Sequence, residues 1–230
     1  MKLAAIDIGS NAARLLVTEV VTNKEKEPRF TKLSFVRVPL RLGFDVFEYG
    51  EIRKGKSRLL RNTMKAFRLL MDVYEVDKFK VCATSAMRDA GNKKDILRKI
   101  KLESGIDIEI ISGDEEASYI FDNHIAERLS KDHAYLYIDV GGGSTELTFY
   151  SEGKLQYKES YNIGTIRLLK NLVKENSWDA MQQKIQQLTK SNLPIYAIGS
   201  GGNINKIFSM SKRKDGKSLS IELLKDYYHE

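Results

Sequence analysis

The chain has 230 residues, which exceeds one minimal domain and gives room for two lobes. Hydrophobic residues make up 42% and charged residues 30%, which excludes a disordered polymer and supports packed cores. Lys and Arg number 38 against 31 Asp and Glu, a net +7 that suits a polyanionic partner or a solvated basic surface.

In chain order, residues 3–8 predict a buried strand and 13–20 its hairpin partner. A charged turn at Lys24–Pro28 leads to a third strand over about 29–40. Gly43, Gly50 and Gly55 punctuate the exit. Apolar residues from Ile52 to Tyr74 then recur at steps of three and four, the period of a long amphipathic helix. A strand at 79–84 and a helix from Lys93 to Glu103 follow, the helix ended by Gly105. A strand at 106–111 leads into a helix opened by Ser112-Gly113-Asp114-Glu115-Glu116. Carboxylates in a first turn suit the helix dipole, and that helix is expected to run to about Leu129. Strands at 134–140, 144–150 and 153–160 repeat the meander. Helices at 164–175 and 177–190, a strand at 194–198, a helix from near Asn203 and a last one at Leu219–Tyr228 complete the order.

Cys82 is the single cysteine, so no disulfide forms within the chain, which fits a reducing cytoplasm. It sits in the strand-like run 79–84 and reads as a core thiol. No secretory apolar core fits between Lys2 and Asp7. No apolar run approaches the ~18 residues that span a bilayer, so no membrane partner is expected. His124, His133 and His229 are scattered, which gives no zinc pattern. There is no G-x-S-x-G elbow and no aromatic-basic motif for specific nucleic-acid binding.

The first strand and turn return in the second half. Leu3–Leu16 is echoed by Tyr135–Thr148, aligning Asp7 with Asp139 and Gly9 with Gly141. Gly141, Gly142 and Gly143 free the backbone for a tight turn whose N–H groups can approach an anion, and Ser144 and Thr145 add hydroxyls. Asp139 and Glu146 could flank one site across that hairpin, where hard oxygen ligands suit Mg²⁺ bridging to phosphate. In the first hairpin Ser10 and Asn11 offer polar donors, and Arg14 could fork onto phosphate oxygens. Gly199-Ser200-Gly201-Gly202 lies between a strand and a helix, a place for an anion. It matches neither the P-loop nor the dinucleotide pattern. In Asp114-Glu115-Glu116 a glutamate could act as general base on water, or the acids could serve only the helix start. Arg88, after a strand end, could steady a phosphate.

Taken together, these segments resemble the exopolyphosphatase and guanosine pentaphosphate phosphatase family, within the actin, Hsp70 and sugar-kinase superfamily. The strings are Ile6–Asn11 with Arg14-Leu15, Ala83–Ala90 with Asn92, Ile111–Ala117, Ile138–Leu147, Gly164 with Arg167-Leu168, and Gly199–Gly202. They lie in the family's order over about residues 3–208. The resemblance implies an α/β fold of two actin-like (ribonuclease H-like) lobes, each a mixed sheet of β-β-β-α-β-α order with a cleft between. The lobes are expected at 1–126 and 127–230, the second incomplete at its C-terminal end.

The same resemblance implies Mg²⁺-dependent release of terminal phosphate from inorganic polyphosphate or guanosine pentaphosphate. Catalysis would fall to Glu116, with Glu115 the lesser candidate, and to Arg88. Asp139, Glu146 and Asp7 would stand near the metal. Ser10, Asn11, Arg14, Gly141–Ser144 and Gly199–Gly202 would hold phosphate. A homodimer is a further expectation, since relatives often dimerise. Ala12 stands where the family usually carries a hydroxyl residue, and Asn203, expected to cap a helix, where it commonly has threonine. Two other readings stay open from the residues: a weakly catalytic or non-catalytic sensor of nucleotide or polyphosphate, and an ATP-dependent kinase-like member of the superfamily.

Overall fold

Burial along β1 (Lys2–Ile8) alternates: Ala4, Ile6 and Ile8 face the core while Ala5 is exposed. That period of two is the mark of a strand with one covered face. In the computed structural model, which describes residues 1–23, 26–122, 130–190, 193–213 and 217–229, β2 (Ala12–Asn23) pairs antiparallel with β1. β3 (Lys26–Pro39) pairs antiparallel with β2, completing the expected meander. β4 (Lys78–Ala83) returns parallel to β1, and β5 (Glu109–Ile110) lies parallel to β4. The sheet order is β3-β2-β1-β4-β5.

Helices α1 (Leu42–Tyr49) and α2 (Lys54–Val73) precede β4, and α3 (Ser85–Asp89) and α4 (Lys93–Ser104) follow it. Along α2, Leu60, Met64, Phe67 and Met71 form the buried stripe. Each such side chain contributes roughly 1.5–3 kcal/mol when removed from water. They join Ile6, Ile8, Leu15, Ile96 and Ile100 in one first-lobe core.

The second lobe restates the plan. β6 (Ala134–Val140), β7 (Thr145–Ser151) and β8 (Lys154–Tyr161) form the meander, and β9 (Ile195–Gly201) returns parallel to β6. The order β8-β7-β6-β9 matches β3-β2-β1-β4. Helices α6 (Thr165–Leu169), α7 (Glu175–Leu188), α8 (Gly202–Met210) and α9 (Ile221–His229) complete it. Every residue of β7 is buried. Leu147 and Phe149 meet the apolar side of α7, through Ile185 in both cases. The first lobe's α5 (Gly113–Asp122) also packs on β7 and β8.

Several expectations need correction. α1 was not anticipated: Gly43 was read as a break, yet it lies inside the helix, packed against Phe47, Ile166 and Ser10. The strand expected at 106–111 is only Glu109–Ile110, because Ile106 is buried as a plug outside the ladder. The helix expected over 164–175 stops at Leu169, and Asn171 turns with φ of 53° before α7 begins. The proposed junction at 126/127 and the tail of the helix toward Leu129 lie outside the described residues. Among the described residues no helix is long and apolar enough to cross a membrane.

Candidate active site between the lobes

The two hairpin turns share one closure. Gly9 N–H donates to Ala12 O at 3.0 Å, and Gly141 N–H donates to Ser144 O at 2.9 Å. The correspondence extends to the next helix in each lobe. At α1, Gly43 N–H donates to Ser10 O at 2.8 Å, and at α6, Ile166 N–H donates to Gly142 O at 2.8 Å. Loop carbonyls are thereby occupied. No backbone hydrogen bond among the described residues uses the N–H groups of Ser10, Asn11, Gly142 or Gly143. Each lobe therefore brings amide donors suited to an anion.

These turns abut one another. Ser10 is only 3% exposed, and its hydroxyl pairs with that of Ser85 at 2.8 Å. A Cβ placed on Gly143 would lie 2.6 Å from Phe47 Cζ and 3.0 Å from Ser10 Oγ. Only glycine permits that approach between the lobes. Arg167 on α6 secures it: Nε donates to Gly143 O at 2.7 Å, and the guanidinium lies 4.1 Å from the centroid of the Phe47 ring.

The start of α5 settles which glutamate faces the gap. Ser112 N–H donates to Glu115 Oε2 at 2.8 Å, and Glu115 N–H donates to Ser112 Oγ at 3.1 Å. This is a reciprocal capping box. It holds the Glu115 carboxyl below its usual range and keeps that side chain at the exposed helix start. Glu116, one position on, turns inward. Its Oε2 is buried with no hydrogen-bond partner. Burial, followed by the charges of Glu146 and Asp7, pushes its carboxyl up to about 8, with Arg88 opposing.

Glu146 answers from the second lobe. It is 3% exposed, and its Oε1 accepts from Ser160 Oγ at 2.8 Å across the β7–β8 register. Burial raises its pKa, opposed by hydrogen bonds from Ser144 and Ser160. Arg88 lowers the pKa of both glutamates and is itself fixed by donating to Ile111 O at 3.0 Å. Gly113 lets α5 come this close, since a Cβ there would lie 2.7 Å from Ser160 Oγ.

The remaining expected residues are also placed. Asp7 and Arg14 are opposite one another in register and ion-paired at 2.5 Å. Asp139 accepts from Ser200 Oγ at 2.6 Å, and Asp139 and Ser200 are register partners on β6 and β9. The strand extends through Gly199 to Gly201, where φ is 104°, and α8 begins at Gly202. Asn203 lies within α8 and does not cap it. Ser144 and Ser200, expected on phosphate, thus direct their hydroxyls to the two acids, and Asn11 is exposed at its turn. Cys82 is only partly buried, and burial raises its thiol pKa.

Ser160, Ser85 and Gly113's packing role were missed. A Ser opposite an acid on the next strand becomes visible only once register is known. Among the described residues no group of three His, Cys, Asp or Glu side chains forms a metal cage.

Comparison with known proteins follows the same lines. The model of the Ppx/GppA phosphatase family matches residues 20–195. A bifunctional 3-dehydroquinate synthase/phosphatase of Fusobacterium nucleatum is 35% identical over 181 residues, 75% of this chain and 26% of that protein. Exopolyphosphatase 1 of Mycobacterium tuberculosis is 28% identical over 171 residues, 73% of this chain and 48% of the relative. The chain therefore spans half or less of the length of these curated relatives. A crystal structure of an exopolyphosphatase from Cytophaga hutchinsonii superimposes with a TM-score of 0.77 at 26% identity, over 96% of this chain and 73% of that one. The Aquifex aeolicus member of the Ppx/GppA family gives 0.75 at 24% identity, over 100% and 78%, a likeness of fold.

Proposed function

The chain belongs to the Ppx/GppA phosphatase family, and we propose that the gap between its lobes releases terminal phosphate from inorganic polyphosphate. The observation that carries this reading is Glu116: a half-buried side chain whose Oε2 is buried and unpartnered, influenced by Arg88 and by Glu146 of the other lobe. A phosphoanhydride already has a good leaving group, so positioning and charge neutralisation dominate the barrier. Water attacks the terminal phosphorus, its proton passes to the Glu116 carboxylate, and the bond to the bridging oxygen breaks. Arg88, Arg14 and the open amides of both turns neutralise the transferring group.

Glu116 must be ionised for that role. With a pKa near 8 it holds its proton at neutral pH in the free protein. Positive charge entering the gap lowers that value. The donor set fits Mg²⁺, which usually takes one or two carboxylates and completes its shell with water and substrate phosphate. One or two of Asp139, Glu146 and Asp7 would hold it. The buried Glu146 and the unpartnered Oε2 of half-buried Glu116, short of countercharge, are the features such an ion answers. Bound there, it would offset negative charge on the phosphoryl oxygens.

The test is a phosphate-release panel using long-chain polyphosphate, short-chain polyphosphate and guanosine pentaphosphate, with and without Mg²⁺. Release from polyphosphate that depends on Glu116 supports the reading. Binding without release in every arm replaces it with a sensor, and ATP-dependent phosphorylation of a sugar replaces it with a kinase.

A further inference from the structure

Five residues stand in one row across the first sheet. Arg37 on β3 pairs with Arg14 on β2, Arg14 with Asp7 on β1, Asp7 with Cys82 on β4, and Cys82 with Glu109 on β5. Residues directly opposite on adjacent strands share a face. The row lies two residues before the Gly9 turn, at the carboxyl end of β1, the end where open α/β sheets bind ligands. Its middle adjoins the gap, where the Asp7 charge acts on Glu116. Toward the β3 edge Arg14 and Arg37 are both exposed.

Two arginines directly opposite one another destabilise a strand pair. Arg14 is answered by Asp7 at 2.5 Å. The Arg37 side chain has no hydrogen bond or ion pair among the described residues. Some surface cations of this lobe are paired, Arg98 and Lys99 with Asp95, Arg61 and Lys65 with Glu103, while others such as Lys54, Arg58 and Lys94 are not, among the described residues. What sets Arg37 apart is its register position opposite a second arginine.

We propose that Arg37 is a binding residue for the inner phosphates of a linear polyphosphate, succeeding Arg14 as the chain leaves the gap. This assignment rests on the phosphohydrolase reading above. Adjacent strands lie about 4.8 Å apart, so the step from β2 to β3 sets a second guanidinium beside the first at a spacing that suits a repeating anion. Guanidinium groups fork onto phosphate oxygens, and an anion spanning both arginines cancels their repulsion. A single phosphate held near Asp7 and Glu116 would not need Arg37. A chain of many units would.

Equilibrium binding of long-chain polyphosphate and of inorganic phosphate tests this, with Mg²⁺ present and in a Glu116→Gln background so that the polymer is not consumed. Arg37→Ala is expected to weaken long-chain binding about 10-fold and to reduce the slope of log affinity against log salt by about one. Inorganic phosphate binding should stay within about twofold. Arg37→Lys should restore the salt slope but only part of the affinity. An unchanged affinity and slope for the long chain overturns the assignment alone. So does an equal loss for both ligands, which would mark a general disturbance of the site. If the background protein binds neither ligand, the reading of the gap falls, and the role of Arg37 falls with it.

Discussion

Arg167 Nη2 of the second lobe lies 2.5 Å from Asp89 Oδ2 of the first. The same guanidinium donates to Gly143 O and covers the Phe47 ring. Lys170 adds a second pair across the lobes, to Glu48. Because Asp89 is 38% exposed, solvent screens the first pair, and Asp89→Asn should cost less than about 1 kcal/mol. Arg167→Ala also leaves the Gly143 carbonyl without its donor and should cost about 1–3 kcal/mol. Urea unfolding of the two variants checks the ranking. Equal losses would mean that the ion pair alone holds the turn.

Glu116→Gln should retain polyphosphate binding and reduce turnover at least about 100-fold, within the usual contribution of a general base. Steady-state kcat beside an equilibrium binding measurement separates the two effects. Near-normal turnover removes Glu116 from the mechanism.

The same side chain sets a pH dependence of stability. Its carboxyl stands near 4.5 when free and at about 8 in the fold. Between those values the folded state binds the proton more tightly than the unfolded chain, so stability falls as pH rises. Melting temperature should decline from pH 5 to pH 9 more steeply in the parent than in Glu116→Gln. Parallel curves would show that Glu116 contributes nothing to the trend.

Gly113→Ala should impair activity more than folding. Alanine favours a helix over glycine by about 1 kcal/mol, but its methyl group would strike Ser160 and move α5 off β8. We expect kcat to fall by an order of magnitude or more with little change in melting temperature. Adding Ser160→Gly should recover the packing but not the hydrogen bond to Glu146, so rescue should be partial. Full activity in Gly113→Ala alone would show that the closeness of α5 to β8 is unimportant.

Ser160→Ala isolates that hydrogen bond. Removing a donor from a buried carboxylate costs about 1–3 kcal/mol, and here it should also push the Glu146 pKa higher. With Glu146 in its proposed role toward Mg²⁺, a higher Mg²⁺ concentration should then be needed for half-maximal rate. A titration of rate against Mg²⁺ at fixed pH checks it.

The repeat was legible because two local patterns coincide twice: strand alternation, and a glycine following an acid at a strand end. Asp7 and Asp139 could be aligned before any coordinates existed. The capping box was equally present in Ser112-Gly113-Asp114-Glu115, and reading it would have separated Glu115 from Glu116 outright. What stayed hidden depends on packing between distant segments. Gly43 looks like a helix breaker in sequence and is a contact point in space. Ser160 acquires its role from register with Glu146, and Arg167 from the closeness of Gly143 and Asp89. No window of neighbouring residues carries those distances.

The reciprocal bonds between Ser112 and Glu115 have a further consequence for how this protein tolerates change. A helix advances about 100° per residue, so the aim of Glu116 is a matter of phase. One residue inserted or deleted between the cap and that acid would force a choice: either the reciprocal bonds are lost, or the whole of α5 turns and leaves its seat on β7 and β8. Length at this spot is therefore tied at once to the cap, to the seat of the helix and to the aim of Glu116.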